Sequence, residues 1–258
     1  MTARAITSLA NAAVKAARAL HLRKARDESG LFLVEGLKSV IEGVRLGHTP
    51  RLLLHGPNVA AHPLVREAAA ACETVEVSEA ILRKISRRDN PQAVLGVFEQ
   101  RFTPLQALDP ATARCWVALQ AVRDPGNLGT IVRTADAAGC GAVILVGDCC
   151  DPYSVESVRA TMGSIFAAPL VRTSLEAFMT WRVGWPGAVV GTLLTANADF
   201  RAVSYRSPSL ILMGNEQAGL PDDLAAICDL AVKIPMRGRA DSLNLAVATG
   251  IMIYAVTG

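Results

Sequence analysis

The chain has 258 residues, 51% hydrophobic and 19% charged, with a formal net charge of +3 at pH 7. That composition can bury a large core, predicts two domains and excludes the disordered and fibrous classes. No apolar run reaches the roughly 18 residues of a membrane span, so no membrane partner is expected.

In chain order, the first 26 residues hold Arg4, Lys15, Arg18, Arg23, Lys24 and Arg26 with no acid before Asp27. A mitochondrial transit peptide has that composition. Leu9, Ala13, Ala17 and Leu20, however, recur at helical spacing, which describes an ordinary amphipathic first helix and a cytoplasmic protein. Strand-like runs at 31–34, 51–54, 74–77 and 94–98 then alternate with helical stretches, giving a small α/β domain over residues 1–102. Its charge is +5, against −2 for residues 103–258. Arg23, Lys24 and Arg26 form one basic cluster; Arg83, Lys84, Arg87 and Arg88 form a second. Such clusters neutralise phosphates, although a charge run is as often a solvated face.

Residues 103–113 carry two prolines and little periodicity and read as a linker. From 114 to 258, apolar runs at 116–122, 142–146, 168–171, 188–193, 210–213 and 230–234 are separated mostly by helix-length segments. This pattern predicts a largely parallel sheet with helices on both faces. The stretch 245–256, almost wholly apolar, reads as a buried or dimer-interface helix. There is no internal repeat. Six cysteines show no CxxC pair and no nearby histidine, so neither a zinc site nor a disulfide framework is expected.

Three segments of the second domain combine Gly, Asn, Ser, Glu or Arg with the end of an apolar run: 127–135 (NLGTIVRTA), 212–220 (LMGNEQAGL) and 234–245 (IPMRGRADSLNL). Polar and glycine residues at strand ends are what a ligand site between strands requires. No GxxxxGK[ST] phosphate loop occurs, and the sequence around Gly139 and Gly141 lacks the third glycine of a dinucleotide fingerprint. All four histidines, His21, His48, His55 and His62, lie in the first domain. A site in the second therefore draws no general base or metal ligand of that type from its own domain. Group transfer from an already activated donor suits the remaining Arg, Glu, Asn and Ser.

The run 122–135 (VRDPGNLGTIVRTA), Met213-Gly-Asn-Glu216 with Gly219, Ile234-Pro-Met236 and Ser242-Leu-Asn244 resemble the three signature motifs of the SpoU (TrmH) family of the SPOUT superfamily. The match spans about residues 115–256. These are RNA ribose 2′-O-methyltransferases. The first domain is similar to the substrate-binding domain of the ribosomal-RNA branch, carried by Asn11, Lys15, Arg26 and the run 32–36 (FLVEG). The resemblance implies a C-terminal trefoil knot, S-adenosylmethionine as cofactor, a homodimer that completes the site, and ribosomal RNA as partner. Antibiotic-resistance methylases belong to the same branch. Gly214, Ile234, Met236 and Leu243, with Thr192, would then hold the cofactor. Asn127, Arg133, Glu216, Ser242 and Asn244 would face the reacting ribose. The alternatives are a tRNA 2′-O-methyltransferase and an RNA-binding protein of the same fold without catalysis.

Each site residue has a plainer reading. Arg133 and Asp136 are spaced i, i+3 on a helix expected to start near Thr130 and could form a surface ion pair. Ser242 could be the N-cap of the last helix, and Asn127 and Glu216 could be turn residues. The mechanism implied is in-line attack of a 2′-hydroxyl on a sulfonium methyl. A guanidinium is a poor proton acceptor. Arg133 as base, or Arg133 as electrostatic stabiliser with deprotonation by Glu216 or water, are both left open by the residues.

Overall fold

The computed structural model describes residues 4–6, 8–70 and 72–258. The chain divides into two compact units, Met1–Gln100 with Asp151–Ala167, and Arg101–Cys150 with Ala168–Gly258.

The first unit opens with β1 (Arg4–Ile6), α1 (Ala12–Ala19), α2 (Arg23–Ser29), β2 (Leu31–Glu35) and α3 (Leu37–Arg45). It continues through β3 (Leu52–His55), α4 (Pro63–Ala69), β4 (Glu73–Val77), α5 (Glu79–Ser86) and β5 (Val94–Glu99). The sheet order is β1-β4-β3-β5-β2, with β5 antiparallel to β2 and β3 and the other pairings parallel. The first helix buries Val14 and Ala17 against Leu33, Leu54, Val75 and Ile85. Leu9, expected on its apolar face, is exposed ahead of the helix.

The second unit begins with β6 (Cys115–Gln120), α6 (Pro125–Ala137) and β7 (Val143–Val146). The chain then re-enters the first unit, where α7 (Val155–Thr161) packs on β2. No composition change marks this excursion. It is held by aromatic packing of Tyr153 and Phe166 on Phe32, ring centroids 4.6 and 5.9 Å apart, and by two ion pairs. Arg26 donates from Nε to Asp151 Oδ2 at 2.7 Å and from Nη1 to the Leu20 carbonyl at 2.7 Å, and both side chains of the pair are about 5% exposed or less. Arg159 grips Glu35 with Nε and Nη2 at 2.8 and 2.7 Å. Buried charges persist only when paired in this way.

The rest of the second unit comprises β8 (Leu170–Thr173), α8 (Leu175–Arg182), β9 (Ala188–Thr192), β10 (Ala198–Asp199), β11 (Ser209–Met213), α9 (Asp222–Ala226), β12 (Leu230–Lys233) and α10 (Leu245–Thr257). Seven parallel strands lie in the order β10-β12-β9-β11-β6-β7-β8. The interior strands β7 and β11 are buried along their whole length, as continuous apolar runs in a two-sided parallel sheet require. Trp116, Ile144, Phe178, Val189, Leu210 and Leu212 share one core. Strand order reverses direction at β6, so the carboxyl ends of β6, β9 and β11 frame the crevice where open α/β sheets bind ligands.

Two expectations change here. The helix expected near Thr130 starts at Pro125, because Asp124 caps it and proline is favoured at the first helical position. Asn127 is thus a first-turn helix residue. The three-residue β1 and two-residue β10 are edge strands too short for a periodic signal.

Candidate functional site

A cavity of about 600 Å³ opens at the carboxyl ends of β9 and β11. Asn127, Thr192, Gly214, Glu216, Ile234, Met236, Ser242, Leu243 and Asn244 all line it. Nine of the ten residues expected to bind cofactor or ribose thus come together. The tenth, Arg133, is exposed on α6 and does not line the cavity. Among the described residues it has no hydrogen bond or ion pair, and the expected pair with Asp136 does not form.

The backbone makes the cavity. Gly214 at the end of β11 is buried, and a Cβ there would lie 2.1 Å from the Gly219 carbonyl carbon, so only glycine allows the chain to fold back on itself. Asn215 fastens that turn. Its N–H donates to the Gly219 carbonyl at 3.1 Å, its Oδ1 accepts from Gln217 and Ala218, and its Nδ2 donates to the Ala121 carbonyl at 2.7 Å. Ala121 ends β6 with φ of +48°, a left-handed conformation costly for a residue with a Cβ. Neither Asn215 nor Ala121 was singled out by sequence. The asparagine lay inside the Met213–Glu216 motif, but its bond to residue 121 is a tertiary fact.

One hydrogen-bonded chain joins the three segments. Asn244 donates from Nδ2 to Asn127 Oδ1 at 2.8 Å, and Asn127 donates from Nδ2 to Glu216 Oε1 at 3.3 Å. Asn244 is itself the N-cap of α10, its Oδ1 accepting from Ala246 and Val247 N–H at 2.9 and 3.3 Å. Ser242 is therefore not the cap. It stands two residues earlier, and its hydroxyl donates to Asp241 Oδ1 at 3.1 Å.

Glu216 also accepts from the N–H groups of Arg123 and Asp124 at 3.2 and 3.3 Å. Partial burial acts to raise its carboxyl, but hydrogen bonds from its own N–H, from Asn127 and from these two amides outweigh it and hold the group below the usual carboxylate range. A carboxylate so engaged clamps the start of α6 and is poorly suited to take a proton. Asp241, the other carboxylate among the described lining residues, keeps most of its lone pairs open. Asp241 was not singled out by sequence, although it lies inside the segment 234–245.

Thr192 contributes a buried Oγ1 with no hydrogen-bond partner. Buried hydroxyls are normally paired. An orphan at the cavity wall fits a site that receives a polar ligand, and the cavity lies within the usual range of about 300–1,000 Å³ for small-molecule sites.

The basic residues of the first unit separate into two groups. Arg23 and Lys24 meet Asp27 and Glu28 at 3.6 and 3.8 Å, and Arg83 meets Glu79 at 2.9 Å. Arg26 departs furthest from the expected RNA contact: it is 3% exposed and committed to Asp151, because its helix turns it into the unit. Lys84 and Arg87 are exposed with no hydrogen bond or ion pair among the described residues, and Arg88 is half-exposed with one long contact, to Glu35 at 3.9 Å.

Among the described residues no helix is long and apolar enough to cross a membrane, and no cluster of His, Cys, Asp or Glu could hold a metal ion.

Residues 114–254 match the model of the SpoU rRNA Methylase family, and residues 11–96 match that of an MRM3-like substrate binding domain. The 23S rRNA (guanosine(2553)-2′-O)-methyltransferase RlmP of Bacillus subtilis (strain 168) is 32% identical over 98% of this chain and 99% of its own length. The crystal structure of an AdoMet-bound rRNA methyltransferase from Sinorhizobium meliloti superposes with a TM-score of 0.92 at 47% identity, covering 98% of this chain and 97% of that one. That of the SpoU methyltransferase AviRb from Streptomyces viridochromogenes, in complex with AdoMet, superposes with a TM-score of 0.85 at 31% identity, covering 96% and 97%. With its motifs gathered on one cavity and both of its regions matched, the chain belongs to the SpoU rRNA methylase family.

Proposed function

We propose that the chain methylates a ribose 2′-hydroxyl of ribosomal RNA with S-adenosylmethionine. The observation that carries the reading is the convergence of three distant polar segments on one cavity in a chain that aligns, nearly end to end, with 2′-O-methyltransferases of 23S rRNA.

The cavity suits the cofactor through the buried, unpaired Thr192 hydroxyl and the turn-rich walls around Gly214, Ile234, Met236 and Leu243. When bound, S-adenosylmethionine supplies an electrophilic methyl on a sulfonium. The protein's own work is to position and deprotonate the acceptor. Asn127, held by Asn244 and Glu216, fixes the polar edge of the site; Ser242 orients the hydroxyl. Asp241 takes the proton, since its carboxylate engages only the Ser242 hydroxyl among the described side chains. Arg133 supplies a fixed positive charge for the flanking phosphate or the developing alkoxide.

Arg133 does so from a second copy of the chain. Its lack of a partner among the described residues and its absence from the lining set support this, as does α10, which is almost wholly apolar and leaves Val247 52% and Tyr254 57% exposed. The insertion of β11 between β6 and β9, followed by the return of α10 onto α6, supports a knotted C-terminal path. Lys84, Arg87 and Arg88 of the first unit hold RNA, and cytoplasmic location follows from that substrate.

The test is transfer of labelled methyl to total ribosomal RNA from a strain lacking the enzyme, followed by nucleoside analysis, for wild type and Arg133→Ala. Label is expected in a 2′-O-methylnucleoside and is expected to fall about 10²–10³-fold in the variant. Label in a base, no transfer at all, or full activity of the variant overturns the reading.

A further inference from the structure

The first unit holds a second cavity, about 390 Å³, where β2 runs into α3. Its charges are unbalanced. Glu35, 2% exposed, is fully engaged by Arg159, with Arg88 Nη1 at 3.9 Å as a second cation. Lys38, from the first turn of α3, adds a third and is exposed with no partner among the described residues. One further acid, Glu42, places its carboxylate beside Gly163 at the cavity wall. Outside the cavity Lys84 and Arg87 extend the positive field along the end of α5. The cavity therefore attracts an anion, with Lys38 unpartnered among the described residues and Arg88 held only by its long contact to Glu35.

The remaining wall is apolar: Leu37, Met162 and Ile165 line the same space. Met162 is 54% exposed and sits in a left-handed conformation, φ +53°, at the end of α7. A bare phosphate would use only the cationic side and an apolar ligand only the other. A nucleotide presents both, a phosphate and a flat base within one short reach.

We propose that this cavity seats one unpaired nucleotide of the RNA substrate, its phosphate between Lys38 and Arg88 and its base against Met162 and Ile165. The inference rests on the RNA-substrate reading above. It makes Lys38 and Met162, which belong to neither basic cluster of the sequence, contacts of the first unit.

The probe is a fluorescein-labelled single-stranded 12-nucleotide RNA titrated against the full chain over a range of salt, beside poly-aspartate as an acidic-peptide control. Binding of S-adenosylhomocysteine by calorimetry and the melting temperature report an intact fold. Lys38→Ala/Arg88→Ala is expected to bind the RNA at least 10-fold more weakly at about 0.1 M salt, with the slope of log affinity on log salt shallower by about 1 to 1.5. Met162→Ala is expected to weaken binding several-fold with the slope unchanged. Wild-type binding with an undiminished double variant overturns the site while leaving the methyltransferase reading intact. A double variant that loses poly-aspartate as strongly as RNA overturns it in favour of an acidic-peptide surface. A wild type that binds S-adenosylhomocysteine but neither binds nor methylates RNA overturns both readings.

Discussion

Each unit carries a polar network joining residues far apart in sequence, and the two use similar chemistry for opposite ends. In the first, Arg26–Asp151 and Arg159–Glu35 are ion pairs sunk into the unit, their acids almost without solvent. In the second, Asn244, Asn127 and Glu216 form a chain at the exposed rim of a cavity, through amide hydrogen bonds of 2.8 and 3.3 Å. A buried ion pair fixes one conformation, because separating it strands a charge in a medium that cannot solvate it. An amide chain at a rim sets geometry with little penalty when a ligand reorganises it. The burial of the network, more than its residue types, separates scaffold from site.

The strongest blow to that contrast is Asp151→Ala. It leaves the Arg26 guanidinium buried and unpaired, with an expected loss of about 3–5 kcal/mol in urea unfolding; a loss below about 1 kcal/mol would mean that the pair is solvated and the contrast false. Asp241→Asn is expected to lower kcat for methylation about 10²-fold, with S-adenosylhomocysteine affinity unchanged. An undiminished kcat would assign the proton elsewhere. Glu216→Gln keeps the shape of the clamp and is expected to cost only about 1 kcal/mol, since the group is partly exposed. Its pH signature is more telling. A carboxyl depressed in the folded state contributes stability that is present above its unfolded value of about 4.3 and lost as pH falls through the lower folded value. Melting temperatures between pH 6 and 3 should therefore drop more steeply for wild type than for the variant, and parallel curves would show that the clamp carries no charge-dependent stability.

The sequence displayed the sheet of the second unit because parallel strands buried on both faces leave apolar runs that need no partner to be seen. The cavity was legible for a related reason, since Gly214 stands where one of those runs stops and Asn244 where the last apolar helix begins. What stayed hidden depends on pairings across long stretches of chain. Arg26 looked like a surface cation because its acid lies 125 residues away. Asn127 looked like a turn residue because the helix-starting value of Pro125 shows only once Asp124 is known to cap it. Glu216, open as a base or a turn residue by sequence, acts as a clamp on the start of α6 only through donors that lie far away in the chain.

The excursion of residues Asp151–Ala167 also bears on how this molecule can be dissected. A fragment ending at residue 100 would keep β2 but lose α7, and would keep Arg26 and Glu35 without Asp151 and Arg159. The complementary fragment would carry residues 151–167 without β2, the strand on which α7 packs. A division at the linker thus severs the first unit from part of its own core. An autonomous first unit would need 151–167 grafted back after residue 100.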